Sequence, residues 1–332
     1  MLQSKISPDR LKVFVAFLIV YLVWGSTYIA TRFSLESMPL FLMIAIRYLI
    51  AGSIMYVWMR MRGAPKPEKA HLVPTAVLGV LLLVFGSAGA AMAVRTVPTG
   101  MVSLLVAIGP VYIVLLQWLK PGGSAPDKKV FAGIVVGIAG LLLLLGPDKI
   151  ATNSGIDLFG VICVLIGSLG AAVGAIYARS ARVPASQPLA AGMQMLFASA
   201  VLFVISACTG EFSSLQHLNI SLKSTVSLVY LIVFGSMMAF TAYGWLLKTV
   251  PVTRVSTYAY VNPVVAVFLG WFLAGEVISM QTIAGAAIIL SAVALITRSK
   301  VTKQLAAVRI DCSSGEETQR TGAFNRAGCA KD

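Results

Sequence analysis

The chain of 332 residues is 58% hydrophobic and only 11% charged, with 26 Lys and Arg against 12 Asp and Glu. Soluble domains carry about 25% charged residues, so this composition excludes a typical soluble enzyme, and it also excludes a disordered or fibrous chain. The net charge of +14 is spread in small groups between apolar runs, without a basic face that carries aromatic residues. We therefore expect no nucleic-acid partner.

Apolar runs follow one another along most of the chain, and each is close to the roughly 20 residues that a helix needs to cross a bilayer. They predict an all-α, polytopic membrane protein. Its ten transmembrane helices, called spans 1 to 10, are predicted at residues 12–32, 40–60, 72–93, 99–119, 129–147, 158–178, 188–208, 225–247, 254–274 and 280–298.

Basic residues are distributed unevenly between the two sides of such a protein. With the N-terminus in the cytoplasm, 21 of the 26 Lys and Arg lie in cytoplasmic segments and four lie outside, while Arg47 is inside span 2. The positive-inside rule then predicts ten spans with both termini in the cytoplasm. Residues 299–332 are polar and carry both signs of charge, which predicts a disordered cytoplasmic tail.

The two halves of the chain, residues 12–147 and 158–298, resemble each other. Matching residues recur 149 or 153 positions apart: Pro39-Leu40 and Pro188-Leu189, Gly86-Ser87 and Gly235-Ser236, Pro110 and Pro263. Each half holds five spans, an odd number, so the second repeat must insert upside down relative to the first. Inverted repeats of this kind are typical of secondary transporters, although a duplication that only built a stable bundle is the alternative.

Spans 1 and 2 contain the first candidate site residues. Trp24 and Tyr28 are four residues apart, hence on one helix face, where they could stack on a solute or pack against a glycine notch. Arg47 lies seven residues into span 2, roughly 10 Å from the membrane surface. An intramembrane charge is costly, which favours either a clamp for a carboxylate or a structural role as partner of Glu36 or of helix-end carbonyls.

Span 9 carries Tyr258, Tyr260, Asn262 and Pro263 at or near mid-depth. Pro263 removes a backbone donor, and Asn262 supplies an amide that both donates and accepts. Polar groups at this depth are tolerated where they line a cavity or are packed in protein, so Asn262 is predicted either to bind solute or to bond a neighbouring helix. The repeat mate of Pro263 is Pro110 in span 4, and both are predicted to shape moving helices.

Four segments resemble the EamA branch of the drug/metabolite transporter superfamily: VWGSTYIATR (23–32), IRYLIAG (46–52), VPTGMVSLL (97–105) and VPVTRVSTYAYVNPVVAVFLGWFLAGE (250–276). The likeness covers about residues 12–298 and is closest to a bacterial inner-membrane subgroup. It implies a permease of ten helices in two repeats, with a central cavity lined by spans 1, 3, 4, 6, 8 and 9. It also implies export of amino acids or other metabolites.

Motifs for other chemistry are missing from the sequence. It has no P-loop, HExxH, CxxC or GxSxG, so we expect neither ATP-driven pumping nor a membrane enzyme, and no cofactor or metal. The acidic residues fall in loops, at helix ends or in the tail, whereas proton-coupled carriers usually place a titratable group within the membrane. Coupling through Glu36 or Glu276, an uncoupled carrier and an exchanger all stay open.

Together these observations predict a secondary transporter that moves an amino acid or a related amphipathic solute by alternating access. A channel and a membrane scaffold or receptor are the alternatives. The expected partners are the solute and the lipid bilayer, and a homodimer is left open. The residues predicted to contact solute are Asn262, Tyr258, Tyr260, Trp24, Tyr28 and, for an anionic group, Arg47.

Overall fold

The protein is a bundle of apolar helices in the computed structural model, which describes residues 10–120, 125–145, 157–213, 219–250, 252–255 and 257–295. No β-strand occurs in those residues. A helix satisfies its backbone hydrogen bonds internally, which is the condition for crossing hydrocarbon. The helices are α1 (Arg10–Ser34), α2 (Leu40–Met61), α3 (Lys69–Ala93), α4 (Thr99–Leu119), α5 (Lys128–Leu145), α6 (Leu158–Tyr177), α7 (Gln187–Cys208), α8 (Leu222–Leu247), α9 (Tyr258–Ala274) and α10 (Met280–Leu295).

Seven of these helices are long and apolar enough to cross a membrane, and α5, α9 and α10 are shorter apolar helices. Every predicted span coincides with one of them, so the predicted all-α, polytopic membrane fold is confirmed. Span 9 was predicted to begin at 254, where the structure has a separate turn of helix, Val252–Val255, before α9. The predicted ends at 146–147 and 296–298 and the predicted tail at 299–332 lie outside the described residues.

The packing of the helices repeats between the two halves. Helix α2 packs on α7 and α4 packs on α9, and both are pairs of helices that correspond in the sequence repeat. The contact of α3 with α6 has its counterpart in that of α8 with α1, and the contact of α1 with α9 has its counterpart in that of α6 with α4. This reciprocal pattern is the one expected of two halves related by a twofold axis.

Several helices depart from regular α geometry within the described part of the chain. Segments of π-helix occupy Ile19–Val23 in α1, Gly79–Phe85 in α3 and Leu231–Met238 in α8. The last two overlap in repeat position. Because π turns shift hydrogen bonds from the fourth to the fifth residue, they leave local backbone groups to find other partners, and they are frequent at functional sites.

The two predicted kink prolines lie in different local structures. Helix α4 is interrupted between Val106 and Gly109, and Pro110 stands in the first turn of its second half, where a missing N–H costs nothing. Helix α9 instead continues through the buried Pro263. Their predicted role in helix movement stays a prediction.

The two ends of the bundle are distinguished here by their connections. We call the end with the connection between α1 and α2 the first-loop end, and it contains residues 35–39, 94–98 and 275–279. We call the opposite end, with the connection between α2 and α3 at residues 62–68, the second-loop end.

Candidate solute-binding site

A buried guanidinium lies between α1, α2 and α8. Arg47 is 8% exposed, and its Nε donates to Ser236 Oγ at 2.9 Å. Its guanidinium carbon lies 5.3 Å from the centre of the adjacent Tyr48 ring. The structural alternative of a pair with Glu36 is not formed, because Glu36 accepts from Lys223 Nζ at 2.6 Å. Among the described residues Arg47 has no acidic partner, so its charge is available to an anion.

Small residues make room for this guanidinium. A Cβ at Gly235 would lie 3.2 Å from Arg47 Nη2 and 3.1 Å from Thr27 Cγ2, so the missing side chain lets α1, α2 and α8 converge. The next residue of α2, Tyr48, hydrogen-bonds Ser87 in α3 through its hydroxyl group. Ser87 and Ser236 are repeat mates, so two consecutive residues of α2 bond the same position in both halves.

An aromatic cluster lies about one to two helical turns from Arg47, toward the second-loop end. It consists of Trp24, Phe240, Tyr243 and Tyr258, and the Trp24 ring centre lies 5.4, 5.0 and 5.2 Å from the other three in that order. Tyr243 and Tyr258 meet edge to face at 5.6 Å. The offset follows from α8, where Phe240 is four residues beyond Ser236, or about 6 Å along the axis. The cluster is an apolar platform next to a cation.

The structure therefore brings Trp24, Tyr258 and Arg47 to one region, and their contact with solute stays a prediction. Tyr28 is half-buried and packs on a separate apolar group, the one on which Tyr260 also packs, and its contact with solute stays a prediction. Sequence reasoning did not identify Phe240 or Ser236 as site residues. Ser236 had a signal, because it belongs to the repeated Gly-Ser pair, whereas a lone phenylalanine in a membrane helix carries none.

Asn262 joins α9 to α1. It is 8% exposed, and with its side-chain amide turned to the orientation that satisfies both of its polar atoms, the nitrogen donates to the backbone carbonyls of Tyr21 and Tyr258, each at 3.2 Å. Tyr21 belongs to the π segment of α1, and its hydroxyl also bonds Thr257. Close approach is possible because a Cβ at Gly25 would lie 2.6 Å from Val265. These contacts match the packing interpretation of Asn262, and its contact with solute stays a prediction.

Tyr260 points away from the aromatic cluster. Its hydroxyl donates to the backbone carbonyl of Val293 in α10 at 3.0 Å, and its ring packs on a separate apolar group. The position of Tyr260 therefore favours a link between α9 and α10 over the predicted contact with solute.

A carboxylate holds three helices together at the first-loop end. Glu276 Oε1 accepts from Arg32 Nη1 at 2.5 Å and from Thr99 N at 2.9 Å, and Oε2 accepts from Thr99 Oγ1 at 3.1 Å and Gly100 N at 3.4 Å. We call these four residues the Glu276 lock. It ties the end of α1, the end of α9 and the start of α4, where the helix dipole favours an anion.

A second carboxylate at the same end has a similar role. Glu211, which follows α7, accepts from the backbone N–H groups of Phe41 and Leu42 at 3.0 and 2.8 Å and from Ser206 Oγ at 2.9 Å. It therefore holds the start of α2 to the end of α7.

A polytopic helical protein with duplicated halves and a buried cation beside aromatic rings belongs to the class of membrane permeases. The profile of the EamA-like transporter family matches this chain twice, at residues 11–146 and 158–298. The chain belongs to that family and is a multi-pass membrane transporter, which confirms the predicted resemblance.

Named relatives agree with this assignment. The chain is 34% identical over 291 residues to the uncharacterized inner membrane transporter YedA of Escherichia coli K12, covering 87% of this chain and 92% of YedA. It is 25% identical to protein PecM of Dickeya dadantii, covering 85% and 93% of the two chains. A solved crystal structure, 21% identical, matches with a TM-score of 0.59 over 86% of this chain and 96% of its own, which supports the fold.

Proposed function

We propose that this protein is a secondary transporter that exports an amino acid or a related amphipathic carboxylate across the bacterial inner membrane by alternating access. The distribution of basic residues supports placing both termini and the second-loop end in the cytoplasm. The direction of transport follows from the family resemblance.

The observation that carries this proposal is the buried Arg47 without an acidic partner in the described chain. A guanidinium held inside a membrane protein is expensive, and it is retained where it pairs with something. Ser236 accepts a hydrogen bond only from Nε of Arg47. The two terminal nitrogens of the guanidinium are therefore left to donate to the two oxygens of a carboxylate.

The aromatic cluster supplies the second half of the solute site. With the carboxylate on Arg47, the body of a solute would extend about 6 to 10 Å toward Phe240 and Tyr243, the distance that four to seven residues span along α8. Aromatic rings offer apolar contact at that distance, which suits the side chain of an amino acid as well as the body of an organic acid.

Alternating access requires that one end opens while the other closes. The Glu276 lock joins three helices at the first-loop end. This arrangement corresponds to a state that is closed outward. In our proposal, outward opening separates Glu276 from Arg32 and from the start of α4.

The test compares carboxylates with their neutral carboxamides on purified protein. We expect amino acids and organic acids to raise the unfolding temperature of the wild type, and the carboxamides to leave it unchanged. Arg47→Lys keeps the charge but loses the planar fork, so ligand affinity and counterflow in proteoliposomes should fall. Arg95→Lys, an exposed arginine in a loop, is the matched control. Undiminished counterflow by Arg47→Lys would contradict the proposed role of the guanidinium.

A further inference from the structure

The cleft at the second-loop end has an unusual lining. It lies between α1, α2 and α8 beside the start of α7, and its volume is about 650 Å³. Four methionines contribute to its walls, Met55 and Met59 from α2 and Met237 and Met238 from α8. Unbranched thioether side chains adapt to flexible apolar ligands. The interior of the cleft therefore fits a hydrocarbon chain better than it fits a compact polar solute.

One cation stands at the mouth of this cleft. Arg62 is exposed, lines the cleft, and lies with its guanidinium carbon 5.2 Å from the centre of the Trp58 ring. No acidic side chain in the described chain forms an ion pair with it. The stacking fixes the guanidinium at the level where the helix leaves the apolar region, so the cleft combines an apolar interior with a positioned positive charge.

A second, shallower groove shares the same two residues. It runs along the outer face of α2, with a volume of about 700 Å³, and is lined by Ile54, Val57 and Met61 together with Trp58 and Arg62. One guanidinium thus lies where two apolar grooves meet at Trp58 and Arg62. This is the shape of a molecule with one anionic headgroup and two hydrocarbon chains.

We infer that Arg62 and Trp58 form a binding site for an anionic phospholipid of the leaflet at the second-loop end. The phosphate pairs with Arg62, one acyl chain enters the cleft and the other follows the outer groove. Charge complementarity favours an anionic lipid over a zwitterionic one, since Lys66 in the same connection and Lys69 at the start of α3 outnumber the one acidic residue there, Glu68. A soluble anion would leave both apolar grooves unused.

The role of the Arg62 charge in lipid binding is tested with the full chain, purified in detergent and titrated with phosphatidylglycerol or phosphatidylcholine. Native mass spectrometry and the unfolding temperature report binding. We expect phosphatidylglycerol to bind and stabilise the wild type, and Arg62→Gln to weaken its binding about fivefold. Arg179→Gln removes an exposed arginine near the end of α6 and is the matched control. Equal binding of both lipids by the wild type, or unchanged binding by Arg62→Gln, would overturn the proposal.

The proposed position of the acyl chain is tested with a variant whose side chain fills the cleft. Thr241 is exposed and lines the cleft, and its hydroxyl donates only to the backbone carbonyl of Met237 in the same helix. Because no contact with another helix is lost, Thr241→Trp should fold normally. We expect this variant to lose bound phosphatidylglycerol, whereas Val226→Trp, on the exposed face of α8 near its start, keeps it. Retention of the lipid by Thr241→Trp would place the chain elsewhere. Neither readout involves solute, so the proposal stands or fails independently of the transport function.

Discussion

Replacement of Glu276 by glutamine should loosen the start of α4. The carboxylate side chain is 9% exposed and accepts from Arg32, from the backbone N–H groups of Thr99 and Gly100 and from the Thr99 hydroxyl. An amide of the same size keeps one accepting oxygen, but it loses the charge and turns an NH2 group toward another donor. Because Arg32 is 37% exposed, the ion pair itself adds little.

The remaining contributions set the size of the effect. A hydrogen bond to a charged group is worth about 1 kcal/mol more than one to a neutral group, and an anion at a helix N-terminus adds about 0.3–1 kcal/mol. Together they give about 1.3–2 kcal/mol, which corresponds to roughly nine- to thirtyfold in the equilibrium for opening the lock. Hydrogen exchange by mass spectrometry in nanodiscs should show that acceleration in the peptide containing Thr99 and Gly100.

Glu211→Gln provides the matched control. Glu211 holds Phe41 and Leu42 at the start of α2, so its replacement should accelerate exchange there and leave the start of α4 unchanged. If Glu276→Gln left exchange at Thr99 and Gly100 at the wild-type rate, or accelerated both sites equally, the reasoning about the Glu276 lock would be refuted.

Three further outcomes can be measured. Gly79→Ala should lower the unfolding temperature by an amount corresponding to about 1–3 kcal/mol, because the new Cβ would lie 2.5 Å from a backbone carbonyl oxygen of α7. Gly109→Ala is the control and should leave the unfolding temperature unchanged, because its Cβ would have no atom within 4 Å. Asn262→Ala removes the side-chain donor that α9 supplies to the carbonyl of Tyr21 in α1, so calorimetry should show a loss of about 0.5–1.5 kcal/mol. A hydrogen bond from Thr96 holds the pKa of Asp157 below its usual 3.8, so this carboxylate stabilises α6 above that pH and ceases to do so as pH falls through the lowered pKa. Thr96→Val should move that loss to higher pH in hydrogen exchange at the start of α6.

The sequence was sufficient to predict the helices because each must present about 20 apolar residues to lipid or to other helices. It also predicted the correspondence of the halves, which the packing of α2 on α7 and α4 on α9 repeats. It could not predict the π segments. These depend on which backbone groups find partners on other helices, as the carbonyl of Tyr21 does with Asn262.

The candidate site was predictable in part. Arg47 stood out because a charge within a membrane span is rare, and Trp24 and Tyr258 stood out as aromatic residues amid small polar ones. Their partners did not, since Ser236 is 189 positions from Arg47 and Phe240 looks like any lipid-facing residue. Asn262 was ambiguous from the start, because the amide that suits a solute equally suits a neighbouring backbone.

The hydrogen bonds of Arg47 with Ser236 and of Tyr48 with Ser87 have a consequence for the relation between the two halves. In a newly duplicated chain both second helices would have offered the same groups to both halves. Here α2 has Arg47 and Tyr48, while the corresponding positions of α7 are Leu196 and Phe197. The two copies therefore differ, and only α2 carries polar groups at these positions. The twofold relation between the halves therefore does not extend to these positions, and exchanging the roles of the two halves would not reproduce the same hydrogen bonds.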